Sequence, residues 1–327
     1  MGEQAREPIA VSVCICTFNG AERIPLVLEA LGRQTDATPR WDVLVVDNAS
    51  TDQTPTVVAE SLARNLPDRG CYIREEQAGL MYARRTASRR ARGEYIAFLD
   101  DDNIPAPDYL AKLLALLPLH PNAGVIGGRV WADWVGEPTP LGKAVASFAL
   151  AVCERGDVPF AYGDVTSGPA GAGLTVRRSL LEAIFEDAQV ATQMVGRIGS
   201  ALGGSDDTAI VVRAHQRGLE VRYEPSLVLE HRIPTARTTP EYLLRLYEGI
   251  GRGQADLRLL FDWKARNPLF RRLIALKDGL RWIWRGLRGA PPALRREFGA
   301  LADDVHALHQ RQVFGRFTAG WRGPHRV

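Results

Sequence analysis

The chain is poor in cysteine and methionine and has no long apolar run. Its four cysteines, Cys14, Cys16, Cys71 and Cys153, show no metal-ligand spacing. Cys14 and Cys16 lie in an apolar stretch, where cysteine acts as a small hydrophobe. Four reduced thiols and a cytoplasmic compartment are expected. No apolar stretch approaches the ~20 residues of a membrane-spanning helix, and the first residues lack a signal-peptide core. The turn Thr17-Phe18-Asn19-Gly20 lacks Gly-x-Gly-x-x-Gly, which argues against a dinucleotide Rossmann site. The absence of Gly-x-x-x-x-Gly-Lys-Ser/Thr argues against a P-loop enzyme. There is no Gly-x-Ser-x-Gly nucleophile elbow and no internal repeat.

What is present is an ordinary globular composition with an uneven charge. The 327 residues are 46% hydrophobic and 24% charged, enough for one large α/β domain or two smaller ones. Residues 251–327 hold sixteen Lys+Arg against six Asp+Glu, a balance of +10 within a chain whose net charge is +3. A basic tail on an acidic body points to an anionic partner surface.

Val11–Cys16, Val43–Val46, Cys71–Ile73 and Tyr95–Leu99 read as strands. Helical patterns at 22–31, around Val57, Val58 and Leu62, and at 81–92 alternate with them. Ser50, Thr51 and Asp52 are candidate N-caps for the second helix. The alternation predicts an α/β fold with a mostly parallel sheet covered on both faces. Beyond Ile126 the pattern loosens. Residues 141–153 look helical, Leu174–Val176 reads as a strand, and Gly203-Gly204-Ser205-Asp206-Asp207-Thr208 opens a helix. Leu219–Tyr223 and Leu227–Leu229 read as two short strands, and everything from Pro240 reads as helix.

The chain is organised around Asp100-Asp101-Asp102, which follows a buried strand without a spacer. Pro105 and Pro107 block both strand and helix until a helix starts near Asp108. Open α/β sheets bind ligands at the carboxyl ends of their strands. Three adjacent carboxylates repel one another unless a positive charge sits between them, and a divalent cation with oxygen ligands supplies it. In extended backbone Asp100 and Asp102 share one side and Asp101 takes the other. Thr17, Asn19, Asp47, Asp206, Asp207 and His231 stand at other strand or helix ends. A metal that neutralises a leaving diphosphate, with a spare carboxylate as base, suits transfer from a diphosphate-activated donor.

The motifs Ser12–Asn19, Val45–Asp52, Gln77–Leu80 with Ala83-Arg84, Gly93–Asn103, and Gly204–Asp207 through Arg213 to His231 occur in this order. As an ordered set they resemble family 2 glycosyltransferases with the GT-A fold. The resemblance implies that 1–239 is the catalytic domain, with a nucleotide-sugar half at about 8–128 and an acceptor half at about 129–239. Residues 240–327 would be a helical extension. It implies that Thr17 and Asn19 line the nucleotide pocket, that Asp47 binds the base, and that Arg84 lies near the nucleotide or diphosphate. Asp100 would face the ribose and, with His231, join Asp102 as a candidate metal residue; Asp102, the other outer residue of the Asp-x-Asp motif, would bind Mn²⁺ or Mg²⁺. His231 would stand near the diphosphate or metal. Asp206-Asp207 would match the Glu-Asp pair whose second member is the catalytic base. The reaction implied is inverting transfer from a nucleotide-diphosphate sugar to a carbohydrate or lipid-linked acceptor.

Besides Cys16, a harmless change where proline is common, two residues depart from the family pattern: Asn48 stands where a second Asp is common, and Asp206 where Glu is. The second departure leaves open which of Asp206 and Asp207 is the base. No Gln-x-x-Arg-Trp follows, which favours single-sugar transfer over processive synthesis. Plainer readings stay open. Asp47 could cap a helix, Asp206 and Asp207 could be first-turn acids on a helix dipole, and His231 could be an ordinary satisfied histidine. A nucleotidyltransferase on a related fold and an inactive nucleotide-sugar-binding module are the alternatives. Nucleic acid is not expected as a partner.

In the tail, Leu269, Leu273, Leu276, Leu280, Ile283 and Leu287 form one helical stripe, flanked by Arg272, Lys277, Arg281, Arg285 and Arg288. The stripe either lies on an anionic membrane, making the protein peripheral on the inner face of the cell membrane, or docks on the protein itself or a second subunit.

Overall fold

The computed structural model describes residues 8–35, 38, 40–164, 167–187, 206–261 and 267–322. The chain forms two compact units. The first comprises Met1–Asp133, Ala151–Glu186 and Ile210–Arg232, and the second Trp134–Leu150, Asp187–Ala209 and Ile233–Val327.

The first unit begins with the expected alternation: β1 (Val11–Thr17), α1 (Ile24–Gly32), β2 (Trp41–Asn48), α2 (Thr54–Asn65), β3 (Gly70–Glu75), α3 (Leu80–Arg90) and β4 (Tyr95–Asp100). β1 pairs in parallel with β2 and β4, and β2 with β3. Val11, Val13, Ile15, Val43 and Val45 are fully buried, as continuous apolar runs require in a sheet covered on both faces. α1 carries Val27, Leu28 and Leu31 into the same core.

The second part of the sheet is antiparallel and was less legible. β5 (Asn103–Pro105) is followed by α4 (Tyr109–Leu116) and β6 (Ala123–Val135). β7 (Phe160–Ala161), β8 (Thr175–Arg177), α7 (Arg178–Glu186), α8 (Asp206–Gln216) and β9 (Glu220–Pro234) follow. The sheet runs β3-β2-β1-β4-β8-β6-β9-β5, with β7 also on β9.

Four local expectations are corrected. Pro105 does not block strand structure: it ends β5, at the edge of the sheet, where a missing N–H is tolerated. The loosened pattern after Ile126 is one strand of 13 residues. The two short strands around Pro225 are one strand of 15 residues, and Pro225 falls between the stretch paired with β7 and the stretch paired with β5. The N-cap of α2 is Gln53, and Asp52 instead accepts from the backbone and hydroxyl of Thr54.

The second unit contains α5 (Pro140–Ala144), α6 (Ala146–Ala149), α9 (Pro240–Phe261), α10 (Pro268–Arg288), α11 (Pro292–Phe298) and α12 (Ala302–Arg322). The helix expected at 141–153 is thus two short helices, and Cys153 lies beyond them, bridged to Val130. α9 and α12 touch through their backbones. A Cβ on Gly251 would lie 2.0 Å from the Gln312 carbonyl oxygen, and one on Gly315 would lie 2.2 Å from that of Glu248. α10 packs on α12 through Ala275, Asp278 and Gly279, and Trp282 meets Phe314 with ring centres 5.5 Å apart. Asp278 is 2% exposed. Its Oδ2 accepts from Arg258 at 2.9 Å and lies 3.8 Å from Nε of Arg316. The leucine stripe of α10 is exposed along its whole length.

Candidate active site

Sheet register assembles the first group of polar residues. Thr17 stands opposite Asp47, and Cys16 opposite Asp100. Asp47 in turn stands opposite Arg74. The carboxyl ends of β1, β2, β3 and β4 therefore form one rim.

Within that rim the two turns after β1 and β2 are bonded to each other. Asn19, in the left-handed region at φ 48°, donates its backbone N–H to the Ser50 hydroxyl and accepts from the Thr51 N–H, both at 2.9 Å. Gly20 N–H donates to Thr54 Oγ1 at 2.9 Å. Ala49, with φ 60°, is a left-handed alanine in the second turn, and such strain is held where surrounding bonds over-determine the backbone. Asp47 is wholly buried. It accepts from Ser50 N–H at 2.9 Å, Tyr72 OH at 2.8 Å and Arg74 Nη1 at 3.1 Å. Burial, then the bond to Asp47, pushes the Tyr72 phenol above its ordinary value.

Asn48 shows why an amide stands where a carboxylate is common. Its Nδ2 donates to the Gln77 carbonyl and its Oδ1 accepts from Gly79 N–H, both at 2.7 Å. A carboxylate cannot make the first bond. Gly79 adopts φ 137°, a conformation reserved for glycine, directly before α3. The pair of bonds thus sets the start of α3, which carries Arg84. That arginine is buried, with its guanidinium 5.1 Å from the centre of the Phe98 ring.

The acidic triplet does not continue the strand as expected: β4 ends at Asp100, and Asp101 and Asp102 lie in the turn that follows it. Asp101 turns to the first loop: it accepts from Thr17 Oγ1 at 2.6 Å and from Arg23 Nε and Nη2 at 2.9 and 2.8 Å. This bond, against the cost of burial, raises the affinity of Arg23 for its proton. Asp102 is 4% exposed. Its Oδ1 faces Nε2 of His231 at 3.5 Å and accepts from Asn103 Nδ2 at 3.1 Å. Asn103 is the register partner of His231 across β5 and β9, and its Oδ1 accepts from Asp100 N–H at 3.0 Å. The Arg232 N–H donates to the Asp102 carbonyl at 2.9 Å.

Asp206 and Asp207 form the first turn of α8 and belong to the second unit. The Asp207 carboxylate accepts from Thr208 N–H at 2.7 Å. Gly203, Gly204 and Ser205, expected to open this helix, lie outside the described residues.

The residues that sequence reasoning missed are Arg23, Tyr72, Arg74 and Asn103. Asn103 adjoins the triplet and Arg74 ends a strand, which are usable signals. Nothing local marks Arg23 as the partner of a carboxylate 78 positions away.

Comparisons with known proteins bear on the family and the fold. The family model described as glycosyl transferase family 2 matches residues 12–185. The glycosyltransferase AglE of Haloferax volcanii is 33% identical over 86% of this chain and 82% of its own. The succinoglycan biosynthesis protein ExoM of Rhizobium meliloti is 23% identical over 92% of each chain. The solved structure of the mannosyltransferase PcManGT of Pyrobaculum calidifontis, in complex with GDP-Man and Mn²⁺, superposes with a TM-score of 0.58 at 20% identity. That match covers 96% of this chain and 88% of the other. With a rim of buried carboxylates at the ends of parallel strands, and a family match over more than half its length, the chain belongs to glycosyl transferase family 2 and has the GT-A fold.

Proposed function

We propose that this glycosyltransferase moves one sugar from a nucleotide-diphosphate donor to a hydroxyl of a carbohydrate or lipid-linked acceptor, with inversion and with a divalent cation. The observation that carries the reading is the buried Asp102 facing His231 across 3.5 Å at the end of a parallel strand. At this separation the two side chains are near enough to serve one ion together. Among the described residues no three His, Cys, Asp or Glu converge on a point. Mg²⁺ and Mn²⁺ are commonly held by one or two side chains, with substrate phosphates and water completing the shell. Asp102 and His231 fit that pattern, with Asp100 as the residue toward the ribose. When bound, the ion would supply charge neutralisation at the leaving diphosphate.

The remaining roles follow the same reading. Thr17, Asn19 and Asp47 shape the nucleotide pocket, Asp47 on the side of the base. Because Asp47 is buried and already accepts three bonds, its effect on the base is shared with Tyr72 and Arg74. Arg84 supports the nucleotide or diphosphate side. Asp207 takes the proton of the attacking hydroxyl, with Asp206 beside it in the first turn of α8. No described helix is long and apolar enough to cross a membrane. In this reading the protein is cytoplasmic and meets an anionic membrane peripherally through residues 269–288.

A thermal-shift panel of UDP-, GDP- and dTDP-sugars, with and without Mn²⁺, tests the donor and metal together. One donor should raise the melting temperature, and more so with Mn²⁺, because a ligand that binds only the native state stabilises it. Equal shifts with and without metal would remove the cation from the mechanism. No shift with any donor would remove the donor class.

A further inference from the structure

We infer that α10 is an in-plane membrane helix: its leucine stripe enters the acyl boundary of an anionic bilayer while a basic band beside it binds lipid phosphates. This rests on the proposed peripheral attachment and goes further, by assigning which residues insert, which pair with headgroups and which hold the helix to the protein.

The three assignments come from three faces of one helix. At ~100° per residue, Leu269, Leu273, Leu276, Leu280, Ile283 and Leu287 fall within an arc of about 80°. All six are exposed, Leu287 to 82%. Monomeric proteins rarely leave so long an apolar row to water. The side that packs on α12 carries Ala275, Asp278 and Gly279. Protein contact is therefore supplied by small residues, one paired acid and the ring of Trp282, and the leucine stripe is spared for another medium. Lys277, Arg281 and Arg288 follow the stripe on one flank and Arg272 on the other. Trp284 is 54% exposed beside the stripe, with the Arg288 guanidinium 3.8 Å from its ring centre. Tryptophan and arginine together suit the level of lipid headgroups.

Charge decides between a bilayer and a second copy of the chain. α10 carries six Lys+Arg and a single acid, Asp278. That acid is buried and bonded to Arg258, so the exposed surface of the helix presents cations alone. Two copies meeting through this stripe would bring two basic bands together. Lipid phosphates, by contrast, attract each Lys or Arg near the surface.

The test uses the full chain and vesicles of 30% phosphatidylglycerol in phosphatidylcholine, with pure phosphatidylcholine as the comparison. The native protein should cosediment with the anionic vesicles at low salt and less at high salt. Replacing Lys277, Arg281 and Arg288 together by Gln should weaken binding on the order of 10²-fold, from the contribution of each charge. Leu276→Ser with Leu280→Ser should weaken it tenfold or more at an unchanged melting temperature, since both positions are exposed. Binding by the leucine variant equal to that of the native protein would mean electrostatic adsorption without insertion, and would overturn the proposal. So would a folded native protein that ignores anionic vesicles, or a dimer that the leucine variant dissolves. Donor binding is followed on the same samples. Vesicle binding without donor binding would sink the transferase reading alone; donor binding without vesicle binding would sink this one alone.

Discussion

The two units of this chain treat charge in opposite ways. The first buries the valines, isoleucines and leucines of its parallel strands and gathers Asp47, Asp101 and Asp102 at one rim of its sheet. The second, along α10, encloses its acid and turns its leucines outward. The buried carboxylates of the first unit sit where strands end and backbone N–H groups and donor side chains are at hand. Asp47 alone accepts three bonds. In the second unit Asp278 is neutralised by Arg258 on a neighbouring helix. The contrast teaches that burial by itself does not mark function. Asp102 stands beside His231 and Asn103, whereas Asp278 is held against a guanidinium of its own unit.

That difference can be broken by substitution, and the largest effect is expected at Asp102. Asp102→Ala should cut transfer on the order of 10³-fold and remove the Mn²⁺-dependent part of nucleotide affinity, leaving the fold intact. Asp101→Ala should be milder, because Asp101 faces Thr17 and Arg23. Steady-state rates and nucleotide titrations with and without Mn²⁺ compare the two.

Asp207→Asn should lower turnover by about 10²-fold with donor affinity near normal, the effect of losing a general base. If Asp206→Asn proves the more damaging, the base is Asp206.

In the second unit the response should be structural. Asp278→Ala removes the partner of Arg258 and should cost about 2–3 kcal/mol of stability, as for a hydrogen bond to a charged group. Urea unfolding measures this, and donor affinity should not follow it. A loss of donor affinity at unchanged stability would erase the contrast between the units.

Asn48→Asp should cost about 1–2 kcal/mol, because the Gln77 carbonyl loses its donor and faces an acceptor. The same change should weaken nucleotide binding through the displaced start of α3, and calorimetry would show it.

The smallest effect concerns pH. Burial, then the charges of Arg285 and His306, holds the His309 imidazole below its ordinary value of 6.5. Near pH 6.5 the unfolded chain takes up a proton that the folded chain refuses. Stability is therefore full above that pH and falls as pH drops toward the lowered folded value. His309→Gln should flatten this slope between pH 7 and 5 in thermal melts.

The parallel half of the fold was legible because each of its signals is local. Val11–Thr17, Trp41–Asn48 and Tyr95–Asp100 are mostly apolar runs that end in polar residues. The motif order added the family. The antiparallel half was illegible because its strands are stabilised by distant partners. β6 and β9 carry Gly and Pro that read as breaks, yet β9 runs through Pro225, pairing with β7 before it and with β5 after it. Propensity is a weak guide where pairing decides.

The sequence by itself determined which side chains are available for chemistry and that α10 has an apolar stripe. Those properties follow from residue type and from the period of a helix. Only the tertiary structure decided that Arg23 and Thr17 occupy Asp101, that His231 faces Asp102, and that the stripe is left exposed while Asp278 is enclosed. Each of these depends on residues far apart in the chain, and their approach is set by sheet register and helix packing, which no local pattern encodes.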